Sequence, residues 1–214
     1  MSVSPFSSSP ICNFLSRRPL TIVLIGGVAA WFCSQVDDDE KMARMLDGDN
    51  LYIESWGDLG DVYGNGATLA IGTLGLFLAG HFEECPGLTQ AGGDLARSLL
   101  LSGAIVWSLK LGINRQRPSG GRYSFPSGHT AAAFSVAPVL HHHFGWKVGI
   151  GAYSIAAFAG LGRMEDRRHY LSDVLFGAAV GLAVADAVVN RERLVSLSDH
   201  LSINSRGISI HSSF

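Results

Sequence analysis

The chain has 214 residues, a length that suits one domain with a sizeable core. Only 16% of the residues are charged, 26 are glycine, and the mean hydropathy is +0.25. This composition excludes disorder, a collagen-like repeat and a small disulfide scaffold, and it favours a helical membrane protein. The formal net charge of −2 provides no general basic field, so nucleic acid is not an expected partner.

The N-terminal part predicts a flexible tail followed by a first apolar helix. Residues 1–18 are Ser-rich and end in Arg17 and Arg18, and an uncharged run then extends from Pro19 to Val36. Such a run fits either a first membrane span or a secretory signal with a basic leader. A small-x-small cleavage site is not obvious near the end of the run, which favours a retained span.

Five further apolar runs predict the rest of an all-α chain. An acidic segment, residues 37–61, precedes them as an expected solvated loop. The runs are Val62–Phe82, Ser98–Leu109, Tyr123–Trp146, Val148–Gly162 and Val174–Ala185. The later runs are short enough to fit buried helices of a soluble protein as well. Because the two-residue alternation of strands is missing, we expect six helices in or near a bilayer, with a helical domain at 19–190 and a polar tail at 191–214.

Three polar segments stand at the ends of these apolar runs. They are residues 110–118 (KLGINRQRP), 125–130 (FPSGHT) and 162–173 (GRMEDRRHYLSD). The first follows the third run, the second stands at the start of the fourth, and the third lies between the fifth and the sixth. In an up-and-down array of helices these junctions fall at the same end. We therefore expect the three segments to converge.

Local backbone chemistry indicates what the first two segments can bind. The proline that closes the first segment cannot continue a helix, so Lys110 and Arg117 should end a helix and enter a loop. The proline of the second segment fits the first turn of a new helix. Free N–H groups near Ser127, Gly128 and His129 would then form an anion site.

The third segment combines a histidine with a carboxylate. His169 and Asp173 are four residues apart, so on one helix they would share a face and could hydrogen-bond. A carboxylate on one imidazole nitrogen fixes the tautomer and leaves the other nitrogen free to attack. Two histidines, one carboxylate, three cations and a helix N-terminus in one pocket would suit phosphoryl transfer.

Together the three segments resemble the tripartite signature of the type 2 phosphatidic acid phosphatase family. Its superfamily also includes bacterial class A acid phosphatases and vanadium haloperoxidases. The signature is Lys, six residues, Arg-Pro; then Pro-Ser-Gly-His; then Ser-Arg, five residues, His, three residues, Asp. Every spacing matches, and the one departure is Gly162 at the position of the usual serine. The resemblance implies an all-α, six-helix membrane bundle and a phosphatase that needs no metal or other cofactor.

The resemblance also implies a role for each signature residue. His169 would attack phosphorus and become a phosphohistidine, Asp173 would orient it, and His129 would protonate the leaving oxygen and then activate water. The phosphate oxygens would be held by Lys110, Arg117, Ser127, Gly128 and Arg163. The implied substrate is a lipid phosphate or diphosphate monoester, such as a prenyl diphosphate, phosphatidic acid or phosphatidylglycerol phosphate. The implied partner is the bilayer, a bacterial inner membrane with the site facing the periplasm or the outside.

Other interpretations stay open beside this one. A secreted soluble acid phosphatase or a phosphotransferase would use the same residues, and a scaffold protein could keep the fold without the activity. Four arginines match no signature position and are expected in solvent or at lipid headgroups: Arg115, Arg122, Arg167 and Arg168. The triplet His141–His143 lies at the far end of its helix, where we expect a loop rather than a metal site.

Overall fold

Six helices follow one another through the part of the chain that the structure, a computed structural model, describes: residues 17–35, 62, 64–191, 201–204 and 207–210. They are α1 (Arg17–Gln35), α2 (Gly66–Phe82), α3 (Pro86–Ile113), α4 (Gly128–Phe144), α5 (Trp146–Glu165) and α6 (Leu171–Val189). The predicted six-helix, all-α architecture is confirmed. The expectations for residues 1–16 and for the acidic segment 37–61 lie outside the described residues.

A short β-hairpin in the C-terminal tail was not predicted from the sequence. Strands β1 (Leu201–Asn204) and β2 (Gly207–Ile210) pair antiparallel, with Leu201 opposite Ile210. Four residues per strand are too few for the alternation that identifies a strand in a sequence. The hairpin leaves the helical architecture of the preceding residues unchanged.

Two helices begin at places that the charge pattern did not predict. Helix α3 begins at Pro86 rather than Ser98, because the buried Asp94 is paired with basic groups, among them the exposed Arg97 over 2.9 Å, and the helix can carry both charges. Helix α4 begins at Gly128, with Ser127 as its N-cap, so Pro126 lies in the preceding loop. The expectation that Pro126 occupies the first turn of this helix is therefore wrong.

Helix α6 occupies the middle of the bundle. It packs against α4 and α1, and α4 in turn packs against α5 and α3. The contacts depend on small residues, because a Cβ added at Gly181 would lie 2.4 Å from the Ala131 carbonyl oxygen of α4, and one at Gly26 would lie 2.2 Å from Ala179 Cβ. Close backbone approach at small residues is how helices pack within a membrane.

The outward faces of the bundle are apolar. Large side chains such as Trp31, Ile71, Leu100 and Trp107 are more than half exposed. Among the described helices, α3 and α6 are long and apolar enough to cross a membrane, and α2 is apolar but has 17 residues. Apolar surface of this extent is typical of contact with lipid or with another protein.

The close contact at Gly181 provides a test of the packing. We expect Gly181→Ala to lower the free energy of unfolding by about 1–3 kcal/mol, because the added methyl group would overlap the α4 backbone. The matched control is Gly72→Ala on α2, where an added Cβ meets nothing within 4 Å. Thermal unfolding in detergent measures both variants, and equal melting temperatures would contradict this packing.

Candidate active site

The three polar segments meet at one end of the bundle, as their spacing along the apolar runs predicted. They surround a cavity of about 530 Å³ between α2, α3 and α4. Its polar lining, within the described residues, includes Ser102, Lys110, Arg117, Tyr123, His129 and His169, together with Gly128 at the start of α4. Its apolar wall includes Leu99, Leu100, Val106, Trp107, Ala131 and Ala132. The cavity therefore combines a cationic end with an apolar side.

The cationic end is built by the last turn of α3 and the loop that follows it. Lys110 is buried in that turn, and its Nζ donates a hydrogen bond to the Tyr123 carbonyl oxygen over 2.6 Å. Asn114 ends the helix in the left-handed region, at a φ of 49°. Arg117 lies in a tight turn, since its N–H donates to the Gly121 carbonyl oxygen over 2.7 Å. Both cations thus occupy the positions that the sequence analysis gave them.

The N-terminus of α4 adds backbone donors to the cavity. Gly128 and His129 line the cavity. Because they are the first two residues of the helix, their N–H groups have no partner within the helix. Ser127 is fully buried, and its hydroxyl oxygen accepts a hydrogen bond from Thr130 Oγ1 over 2.8 Å. Its side chain therefore caps the helix and does not belong to the cavity lining. Anion binding by the helix N-terminus remains a prediction.

His169 stands in the loop before α6 rather than on the helix. Helix α6 begins at Leu171, with Tyr170 as its N-cap, so the expectation that His169 and Asp173 share a helix face is wrong. His169 Nδ1 still approaches Asp173 Oδ2 to 3.7 Å, which is longer than a hydrogen bond. Because Nδ1 is directed toward Asp173 and the ring lines the cavity, Nε2 is the nitrogen available to a ligand.

The Asp173 carboxylate is satisfied by other groups, which explains the longer distance to His169. Its Oδ2 accepts hydrogen bonds from the Ser124 hydroxyl and, over 2.9 Å, from the Tyr170 N–H. Its Oδ1 accepts one from Arg115 Nη1 over 2.7 Å. Its main-chain oxygen accepts the Ser127 N–H over 2.9 Å, which ties α6 to the start of α4. One buried residue thus contacts all three segments.

The electrostatics of the site favour a neutral His169. Burial lowers the pKa of His169 below its ordinary value of 6.5, and the nearby charges of Lys110 and Arg117 lower it further. The Asp173 carboxylate acts in the opposite direction without reversing the shift. A neutral imidazole retains the lone pair that a nucleophile needs.

Arg163 stands behind the cavity lining of the described residues. Its guanidinium forms an ion pair with Asp166, near the C-terminal end of α5. Its main-chain oxygen accepts the N–H groups of Arg168 and His169, each over 3.1 Å. In this arrangement Arg163 shapes the loop that carries His169, and its contact with a phosphate oxygen remains a prediction.

Arg115 is a residue of this site that sequence reasoning missed. The expectation that it lies in solvent or at headgroups is wrong, because its guanidinium bonds Asp173 and stacks on the Tyr170 ring at 4.1 Å from the centroid. The sequence held only an indirect signal for this contact, because a buried carboxylate needs a positively charged partner. Arg115, the arginine nearest to Lys110 along the chain, was a candidate for that partner. Arg122, Arg167 and Arg168 are exposed, as predicted.

The histidine triplet belongs to the opposite end of the bundle. His141, His142 and His143 form the last turn of α4 rather than a loop. His143 Nε2 lies 3.1 Å from Asp94 Oδ2 of α3. Within the described ranges, no group of three or more His, Cys, Asp or Glu residues is arranged to hold a metal ion.

Comparison with known proteins agrees with this geometry. The family model of the PAP2 superfamily matches residues 91–193, which contain all three segments. The family resemblance is confirmed over residues 91–193. Among curated proteins, the chain is 40% identical over 95 residues to lipid A 1-phosphatase of Porphyromonas gingivalis, covering 42% of this chain and 21% of that protein. It is 24% identical over 111 residues to lipid A 4'-phosphatase of Helicobacter pylori, covering 46% and 56%.

Two crystal structures share the fold. One is LpxE of Aquifex aeolicus, with a TM-score of 0.60 and 24% identity over 69% of this chain and 92% of that chain. The other is a transmembrane PAP2 type phosphatidylglycerolphosphate phosphatase from Bacillus subtilis, with a TM-score of 0.62 and 20% identity over 87% and 98%. The matches to the two lipid A phosphatases, by contrast, span only 21% and 56% of those proteins.

The cationic cavity should bind a tetrahedral oxyanion. We expect Arg117→Gln and Lys110→Met each to weaken the binding of inorganic phosphate about 10- to 100-fold, because each removes a charged hydrogen-bond donor. Arg122→Ala, an exposed arginine of the same loop, is the control and should bind as the wild type does. Isothermal titration calorimetry in detergent measures the affinities. Equal affinities for all four proteins would contradict the assignment of this cavity.

Proposed function

We propose that this chain is a membrane phosphatase that hydrolyses a lipid phosphate or diphosphate monoester through a phosphohistidine at His169. The observation that carries the proposal is the cavity itself. Two cations, a helix N-terminus and two histidines share its polar end, and its apolar side is formed by α2, α3 and α4. A phosphate group suits the first part and a hydrocarbon chain suits the second.

The first half of the reaction would transfer the phosphoryl group to the protein. His169 Nε2 attacks phosphorus while the bond from phosphorus to the lipid oxygen breaks, and His129, protonated once the phosphate anion is bound beside it, donates its proton to that oxygen. Asp173, beside Nδ1, stabilises the positive charge that develops on the imidazole. The lipid leaves as an alcohol or, from a diphosphate, as a monophosphate.

The second half would return the enzyme to its starting state. His129, now neutral, takes a proton from water, and the water oxygen attacks phosphorus as the bond to Nε2 breaks. Inorganic phosphate leaves, and both histidines regain their original protonation. Lys110, Arg117 and the N–H groups that begin α4 stabilise the charge on the non-bridging oxygens in both steps. These cations supply the positive charge that a metal ion supplies elsewhere, so we propose a metal-independent reaction.

The outer surface of the bundle supports a membrane location. On α3, Leu100 is 75% and Trp107 is 61% exposed, and both also line the cavity. A lipid beside α3 would therefore meet the apolar side of the cavity. The packing of α1 against α6 through Gly26 supports a retained first span rather than a cleaved signal, and thus the membrane enzyme over a secreted soluble phosphatase.

The relatives narrow the substrate class that we propose. Two are named as lipid A phosphatases, and a third, 33% identical over 115 residues, is a probable diacylglycerol pyrophosphate phosphatase of Schizosaccharomyces pombe. All three names describe phosphate groups on lipids. We propose a substrate of that class in a bacterial inner membrane, with the cavity facing the periplasm. Phosphatidic acid, a prenyl diphosphate, phosphatidylglycerol phosphate and a phosphorylated lipid A form the panel to test.

Hydrolysis of this panel in detergent tests the function. We expect phosphate release to persist in excess EDTA, and we expect His169→Ala to reduce kcat by on the order of 10⁴-fold or more, since the nucleophile is lost. A water-soluble aryl phosphate included in the panel shows whether the lipid part matters. Loss of activity with EDTA, or full activity in His169→Ala, would contradict the mechanism.

The two roles of His129 can be separated with the aryl phosphate. An aryl leaving group needs little protonation, so His129→Asn should still form the phosphohistidine, whereas its hydrolysis should slow strongly without a base. For His129→Asn we expect a burst of one phenol per protein followed by a slow steady state, measured by stopped-flow absorbance. A His129→Asn variant that releases phenol at a constant wild-type rate, without a burst, would contradict the assignment.

A further inference from the structure

We infer that Arg115 is a positioning residue of this site, which holds the buried Asp173 carboxylate in its charged form so that His169 can stay neutral. The inference rests on the proposed function, because it concerns the reactivity of the nucleophile. Arg115 lies immediately after the C-cap of α3, two residues before Arg117. Its contacts, however, are with the segment that carries His169.

Arg115 is held against the first turn of α6 by three contacts. Its Nη1 donates to Asp173 Oδ1 and to Ser172 Oγ, each over 2.7 Å. Its guanidinium carbon lies 4.1 Å from the centroid of the Tyr170 ring. An arginine fixed at both its edge and its face makes contacts that a lysine cannot reproduce, because the guanidinium is planar and carries several donors.

The charge balance gives this contact its chemical importance. Asp173 has no exposed surface, and a buried carboxylate needs a balancing positive charge. Beside the carboxylate stand the guanidinium of Arg115 at 2.7 Å and His169 at 3.7 Å, and His169 supplies positive charge only if its imidazole takes up a proton. A protonated His169 has no lone pair with which to attack. Arg115 therefore supplies the charge that the nucleophile would otherwise have to supply.

Arg115 acts on the reaction without contacting the substrate. The lining of the cavity, within the described residues, contains Lys110, Arg117, Gly128, His129 and His169, and Arg115 stands outside it. Loss of Arg115 should consequently reduce the fraction of protein with a reactive, correctly oriented His169 and leave the phosphate-binding groups in place. The expected signature is a lower kcat with an unchanged KM.

Steady-state kinetics in detergent, with the best substrate of the panel, test the inference. We expect Arg115→Ala to lower kcat about 10- to 100-fold, the usual effect of losing a residue that orients a reacting group through another, with KM within about twofold of the wild type. Arg115→Lys should recover part of the rate, and guanidinium ion added to Arg115→Ala should restore part of it. Arg122→Ala, the exposed arginine of the same loop, should match the wild type.

A double-mutant cycle with Asp173→Asn separates positioning from a general effect on folding. If Arg115 acts through Asp173, adding Arg115→Ala to Asp173→Asn should slow the reaction by less than about twofold, because the partner is already neutral. Rate losses that multiply would overturn the inference, as would a wild-type kcat in Arg115→Ala. If Arg115→Ala does not fold, Arg115→Lys decides: a lower kcat at constant KM supports the inference, and an unchanged kcat overturns it.

The outcome for the wild type distinguishes the two proposals. A wild-type protein that hydrolyses no member of the panel would overturn the proposed function. An active wild type whose Arg115→Ala variant has the same kcat would overturn the role of Arg115 alone.

Discussion

The Asp173 carboxylate has no contact with solvent, and a negative charge in that position must be balanced by its neighbours. The groups that bond to this carboxylate come from two parts of the chain. Arg115 and Ser124 belong to the loop after α3, and the Tyr170 N–H belongs to the start of α6. The main-chain oxygen of the same residue accepts the Ser127 N–H at the start of α4. Breaking a buried pair of this kind by removing one partner costs about 3–5 kcal/mol.

The arrangement of the cavity follows from this anchor. The loop after α3 is also tied to the segment that carries His169 by Ser119 and Ser124, so its Arg117 lies beside His169 independently of Arg115. Because Ser127 is tied to Asp173, the N-terminus of α4 faces the same space. The small residues of α6 allow the helices to come close enough for these bonds. A Cβ at Gly177 would lie 2.6 Å from the Ser127 carbonyl oxygen, so helix packing and site geometry depend on the same few positions.

The sequence predicted the architecture and the convergence of the three segments well. Six uncharged runs were enough to count the helices of the described residues, and the alternation of helix direction was enough to place Lys110, His129 and His169 at one end. Charge alone could not set the start of α3, because the buried Asp94 is paired with Arg97 and both charges lie within the helix. Spacing also could not show that α6 begins after His169. A histidine four residues before Asp173 can lie near its carboxylate from a helix or, as here, from the preceding loop.

The groups behind the cavity were the least predictable part of the site. Ser127 caps α4 and Arg163 pairs with Asp166, so two expected phosphate ligands act on the protein itself in this structure. Arg115 stood outside the signature and is the cation that the buried carboxylate uses. These roles depend on which side of a loop faces inward, a three-dimensional property that no linear spacing encodes.

A structure of the wild-type protein with orthovanadate bound tests the central claim most directly. The account predicts vanadium bonded to Nε2 of His169, its oxygens contacting Lys110, Arg117 and the start of α4, and an apical oxygen directed toward His129. The Arg115–Asp173 ion pair should be intact behind it. Vanadate bound elsewhere, or bound here with Arg115 separated from Asp173, would contradict the account.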